Sequence, residues 1–153
     1  VPSIKKARDA AREVMTPARR LPWLKPDDNI WQVLESITAG ARGFALVSPT
    51  EPSSGLSLEE VGVISEGDIR RALADREGFA SQTAGRMMTS GPTTISAEAL
   101  MLDALRLMET NRFTFLLCTD DDGKLAGGVH MHEILARDLD IPVKSDRLPN
   151  GPQ

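Results

Sequence analysis

Ordered repetition is the feature that most constrains what this chain can fold into. Val33-Leu34 is answered by Ala104-Leu105, and Phe44 by Phe115, each 71 residues on. Gly62 is answered by Gly127, and Asp68 by Glu133, each 65 residues on. The difference of six is the longer Ser-, Pro- and Gly-rich loop at 48–60 in the first copy. A duplication of this kind means two copies of one supersecondary unit, neither with enough apolar surface to close a core alone. The two halves are therefore expected to pack face to face and to leave two similar clefts. The 153 residues suit one compact domain, or two small ones sharing a core.

Local patterns fill in the units. Residues 3–15 read as a polar connecting helix that Thr16-Pro17 stops, and 16–29, with three prolines, reads as irregular. Asp28 is placed to cap a helix whose apolar residues Ile30, Val33, Leu34 and Ile37 follow helical spacing. Strands are expected at Phe44–Val47 and Val61–Ile64, a helix at 66–76 and a connection at 77–86. The order then recurs: Met88-Thr89 echoes Met15-Thr16, followed by a helix at 98–109, a strand at Phe113–Cys118, a turn at Asp120–Gly123, a strand at Leu125–His130 and a helix at 132–139.

The segment Val61-Gly-Val-Ile-Ser-Glu-Gly-Asp68-Ile-Arg-Arg71 carries the chemistry. A strand runs into a helix, with a hydroxyl at the junction and a carboxylate three residues later. One reading is a capping pair, Ser65 at the N-cap and Asp68 at the third helical position. The other uses the same geometry for a ligand. The helix start offers free N–H groups to a phosphate, Ser65 can donate to it, and Asp68 can accept from a ribose diol.

Two copies of Met-Thr, an extended segment, a helix, and strand–Gly–hydrophobic–x–Ser/Thr–x–x–Asp resemble a tandem pair of cystathionine β-synthase (CBS) domains over about residues 14–139. The stretches at 62–73, 87–109 and 127–135 are most similar to the CBS pair that ends D-arabinose-5-phosphate isomerases, sugar isomerases of the lipopolysaccharide Kdo pathway. The resemblance implies an α+β fold of two repeats, each strand–helix–strand–strand–helix, packed as a pseudo-twofold pair. The divisions expected are a linker helix at 1–13, repeats at 14–76 and 77–139, and a polar, disordered tail at 140–153. The family's catalytic sugar-isomerase domain would precede Val1, so the chain is expected to be a piece of a longer protein.

The resemblance also implies what the clefts do. CBS pairs commonly bind adenosine-type ligands such as AMP, ATP or S-adenosylmethionine, and a CMP-linked sugar is the other candidate for this pathway. Carried over, Ser65 and Asp68 would act with Thr89, Thr94, Arg112 and Phe113. In the second cleft His130 replaces the hydroxyl and Glu133 the Asp, with Lys25 and Arg42 facing them from the first repeat. The pattern departs from the family at Ser65, where Thr is usual, and in the long 48–60 loop.

The rest of the sequence narrows the function by exclusion. Eighteen Lys and Arg against 22 Asp and Glu leave a net charge of −4, which argues against a nucleic-acid partner. No apolar run approaches the roughly 20 residues of a membrane span. One cysteine, Cys118, fits a reducing cytoplasm and reads as a buried thiol. His130-Met-His132-Glu133 raises a metal site, but the chain has no further His and structural zinc wants four well-placed ligands, so none is assigned. No nucleophile–base pair, P-loop or dinucleotide fingerprint is present. The expected role is a non-catalytic sensor that biases a fused isomerase, and the expected assembly is a homodimer. The alternatives are a ligand-free structural module, or a CBS pair of another host enzyme or transporter.

Overall fold

A computed structural model of the chain describes residues 9–40, 43–50 and 55–138. In chain order the regular elements are β1 (Thr16–Pro17), β2 (Trp23–Leu24), α1 (Ile30–Gly40), β3 (Phe44–Val47), β4 (Gly62–Ser65), α2 (Glu66–Leu73), α3 (Ala84–Met87), β5 (Thr89–Ser90), β6 (Thr94–Ser96), α4 (Met101–Asn111), β7 (Phe115–Thr119), β8 (Leu125–His130) and α5 (Met131–Asp138). The class is α+β, with two four-stranded sheets ordered β2-β3-β4-β5 and β1-β8-β7-β6.

The chain divides into two compact units, one formed by 18–92 and the other by the stretches up to 17 and from 93 on. The sequence divisions at 13/14 and 76/77 do not coincide with these boundaries. Residues 77–92 lie with the first repeat, and 9–17 with the second.

In the 18–92 unit, β2 runs parallel to β3, with Trp23 opposite Leu46. β3 and β4 form an antiparallel pair that sets Phe44 against Ser65, and β5 closes the other edge with Thr89 opposite Val63. α1 covers this sheet with Ile30, Val33 and Ile37, all buried at the helical spacing read from the sequence. Each such side chain stabilises the fold by about 1.5–3 kcal/mol on leaving water. The helix starts one residue later than expected. Asn29, not Asp28, is the cap: its carbonyl oxygen Oδ1 accepts from Gln32 N–H at 3.0 Å, and Gln32 Oε1 accepts from Asn29 N–H at 2.9 Å. Asp28 instead closes the preceding turn by accepting from Lys25 N–H at 2.8 Å.

The other unit repeats the plan. β6 runs parallel to β7 with Thr94 opposite Leu117, the residues 71 positions beyond Trp23 and Leu46. β7 and β8 set Phe115 against His130, matching Phe44 against Ser65. Its core is formed around Met101, Met108, Leu116, Val129 and Ile134.

Four expectations change. The stretch 9–15 is not helical: a 3₁₀ turn at Ala11–Glu13 follows an extended Ala10. Ala11 and Arg12 give their N–H groups to Ala99 and Ala97 carbonyls, at 2.7 and 2.8 Å, instead of to a helix of their own. The rest of that expected helix, and the tail from 139 on, lie outside the described residues. The proline-rich 16–29 segment contributes two short strands, and 77–86 includes the start of α3. Helix α2 ends at Leu73, where the last turn tightens into Ala74→Arg71 and Asp75→Ala72 bonds of 3.2 Å.

The two edge strands β1 and β5 explain the paired glycines. Met88-Thr89 precedes the second repeat in sequence yet pairs with β4 of the first, while Met15-Thr16 pairs through β1 with β8 of the second. A Cβ on Gly62 would lie 2.3 Å from Met88 Sδ, and one on Gly127 would lie 2.3 Å from the Thr16 carbonyl oxygen. The glycine of each motif is therefore where the exchanged Met-Thr segment crosses the sheet.

Candidate functional site

The strand–helix junction at β4/α2 gathers polar groups in an otherwise apolar sheet. Asp68, only 7% exposed, sits at the third position of α2 and turns back on the junction. Its Oδ2 accepts from Ser65 N–H at 2.8 Å and from the Ser65 hydroxyl at 3.1 Å. Its Oδ1 accepts from the Thr89 hydroxyl at 3.1 Å and from the Arg71 guanidinium. A carboxylate has roughly four lone-pair positions. All four meet donors of the same chain.

Of the two sequence readings of this junction, the capping pair is present. The Asp68 side chain closes on the N-cap backbone as the capping reading requires. The Ser65 hydroxyl also gives its proton to Asp68. Thr89, expected to face a ligand held by the other repeat, is laid beside β4 by the β5 pairing and gives its hydroxyl proton to Asp68 at the start of α2. The Arg71 contact was not anticipated. Its signal was available, since Asp68 and Arg71 stand at the i,i+3 spacing that makes helix neighbours.

The equivalent junction at β8/α5 differs in chemistry. Glu133 Oε1 accepts from His130 N–H at 3.3 Å, the counterpart of the Asp68–Ser65 bond. His130 Nδ1 accepts from His132 N–H at 3.1 Å, so the imidazole caps α5 and, when neutral, carries its proton on Nε2. The two imidazole rings stack with centroids 5.8 Å apart. Among the described residues no three of His, Cys, Asp or Glu gather where a metal ion could be held.

The remaining candidates are spread between the units. Thr94 stands in β6, and Arg112 ends α4 in the left-handed region at φ 59°. Phe113 follows, 37% exposed. These three belong to the unit of His130 and Glu133, whereas Ser65, Asp68 and Thr89 belong to the 18–92 unit. Lys25 is exposed, and Arg42 lies outside the described residues. Cys118 is fully buried in β7, and burial pushes its thiol up to about 12. Met101 and Met108 fill core. Asp120 closes the β7–β8 turn by accepting from the N–H groups of Asp122 and Lys124.

The family model of the CBS domain matches residues 84–140. With its two sheets and matched strand–helix junctions, the chain is a CBS domain pair. Among curated proteins it is similar to the arabinose 5-phosphate isomerase KpsF of Escherichia coli, 30% identical over 113 residues, covering 74% of this chain and 33% of that protein. It is also similar to the arabinose 5-phosphate isomerase KdsD of Francisella tularensis, 31% identical over 127 residues, covering 82% of this chain and 36% of that one. The chain spans about a third of the length of these relatives. Among solved structures it shares its fold with CBSX2 in complex with AMP, at 24% identity and a TM-score of 0.70, covering 87% of this chain and 98% of that one. The CBS domain of a bacterial CNNM/CorC family Mg2+ transporter in complex with ATP superposes with a TM-score of 0.71 at 15% identity, covering 92% and 94%. Among the described residues no helix is long and apolar enough to cross a membrane.

Proposed function

We propose that this CBS pair is a regulatory sensor of a nucleotide or nucleotide-sugar, and that it modulates a sugar-phosphate isomerase domain, of arabinose 5-phosphate, to which it is fused in the cytoplasm. The observation that carries the proposal is the buried carboxylate of Asp68, held between the Ser65 and Thr89 hydroxyls at a helix start. Such a carboxylate suits a ribose diol, and the N–H groups at the start of the helix beside it suit a phosphate. Thr94, Arg112 and Phe113 are proposed to complete the contacts. The His130 and Glu133 junction, with Lys25 and Arg42, forms a second site of altered chemistry. Support comes from the AMP and ATP complexes of proteins sharing the fold, and from the isomerases among the relatives. The ligand is AMP, ATP or a CMP-linked sugar, and the working assembly is a homodimer.

A second reading is favoured by one specific observation. All four acceptor positions of Asp68 are filled by the chain itself, as a structural keystone would require. Calorimetric titration of the chain with AMP, ATP and a CMP-sugar separates the two. Saturable heat that disappears in Asp68→Ala supports the sensor. No heat with any of the three, in a folded protein, leaves the structural module.

A further inference from the structure

We propose that Arg71 makes the Asp68 site select anionic diols over neutral ones, a specificity determinant that rests on the nucleotide reading above. The Asp68 carboxylate is already filled. A diol can reach Asp68 only by taking the place of one of its four present donors. Three of those are fixed. The Ser65 N–H is backbone at the end of β4, the Ser65 hydroxyl hangs from the same residue, and Thr89 is held by the pairing of β5 with β4. Arg71 alone reaches the carboxylate on a long side chain, 71% exposed, from the next turn of α2. It is the donor that can swing away.

Swinging away has a consequence that depends on the incoming ligand. The guanidinium loses its carboxylate partner to the diol and is left as a cation beside the occupied site. A neutral nucleoside offers it nothing in return, so the exchange breaks an ion pair and leaves the guanidinium without an anion. A nucleotide brings a phosphate, whose geometry a guanidinium fork matches, and the displaced charge is paired again. Arg71 therefore opposes diols that lack an anion and admits those that carry one. The second repeat has Ala136 at the matching position, 65 residues on.

The test titrates AMP and adenosine into the whole chain, into Arg71→Gln, and into Arg71→Lys. Arg71 is exposed and on the last turns of a short helix, so the variants should stay folded, with a modest fall in melting temperature from the lost Asp68 contact. In Arg71→Gln, adenosine is expected to bind about tenfold more tightly, the worth of the one charge-assisted bond it no longer has to break, and AMP about as tightly as to the parent, since the bond it breaks and the bond its phosphate gains are both removed. Arg71→Lys, which keeps the charge and loses the fork, should fall between. An AMP-to-adenosine preference equal in the parent and Arg71→Gln overturns the inference, as does parallel weakening of both ligands. Unchanged titrations in Asp68→Ala place binding elsewhere and also overturn it. Failure of the parent to bind AMP or adenosine overturns the nucleotide reading itself, an outcome separate from binding without discrimination.

Discussion

Adding one methyl group at Gly127 tests whether the exchanged β1 strand holds the second sheet together. The alanine Cβ would lie 2.3 Å from the Thr16 carbonyl oxygen and 3.2 Å from its carbon, atoms of paired backbone. β1 must move away from β8 or the local pairing must open. Overpacking of this kind costs about 1–3 kcal/mol, and a strained β1–β8 hydrogen bond adds about 1 kcal/mol. Against this, alanine lowers the entropy of the unfolded chain and gains about 0.4–1 kcal/mol. The expected net loss is about 2 kcal/mol, a melting shift of roughly 4–8 °C for a chain of this size. Gly62→Ala is the internal control. Its Cβ would meet Met88 Sδ at 2.3 Å and Cγ at 2.8 Å, atoms of a flexible side chain that can turn aside. That variant should lose about 1 kcal/mol or less. Chemical denaturation followed by circular dichroism measures both. Equal stabilities for Gly127→Ala and the parent, or a larger loss in Gly62→Ala, would refute the reasoning that backbone crossing at Gly127 is the tighter constraint.

Other outcomes are expected from the same geometry. Asn29→Ala should destabilise the chain by about 1 kcal/mol through loss of the α1 cap, while Asp28→Ala, in an exposed turn, should cost less; denaturation midpoints of the pair decide it. Asp68→Ala should weaken nucleotide binding by about 1.5–3 kcal/mol, more than Glu133→Ala does, in calorimetric titration with melting curves run in parallel. Native Cys118 should resist a thiol reagent until the chain unfolds, because burial holds its thiol protonated up to about 12. Above the ordinary thiol value of 9.0 the folded chain keeps a proton that the unfolded chain loses, so stability should fall as pH rises from 9 towards 12. The slope from this group is about 1.4 kcal/mol per pH unit, and Cys118→Ala should remove it.

The two junctions share a backbone and differ in charge. Ser65 and His130 each end a strand opposite a phenylalanine, and each gives its N–H to a carboxylate three residues on. At the first, an arginine donates to that carboxylate. Only the second has an imidazole as the cap.

The sequence by itself determined the repeat, the strand–helix junctions and the faces of the helices. Those properties are written in local period and spacing: Ile30, Val33 and Ile37 can share one face only of a helix, and the offsets of 71 and 65 recur in the pairings of Trp23 with Leu46 and Thr94 with Leu117. Tertiary structure decided where Met15-Thr16 and Met88-Thr89 pair, since a two-residue strand has no period of its own and takes whichever sheet edge offers free N–H and C=O groups. It also decided that residues 9–13 leave the helix their composition favours, because the backbone around 97–99 supplies their partners. The same cause governs the site. Ser65 and Asp68 are three residues apart and readable together, but Thr89 reaches Asp68 only because β5 is laid on β4, a contact between residues 21 positions apart that no local pattern encodes.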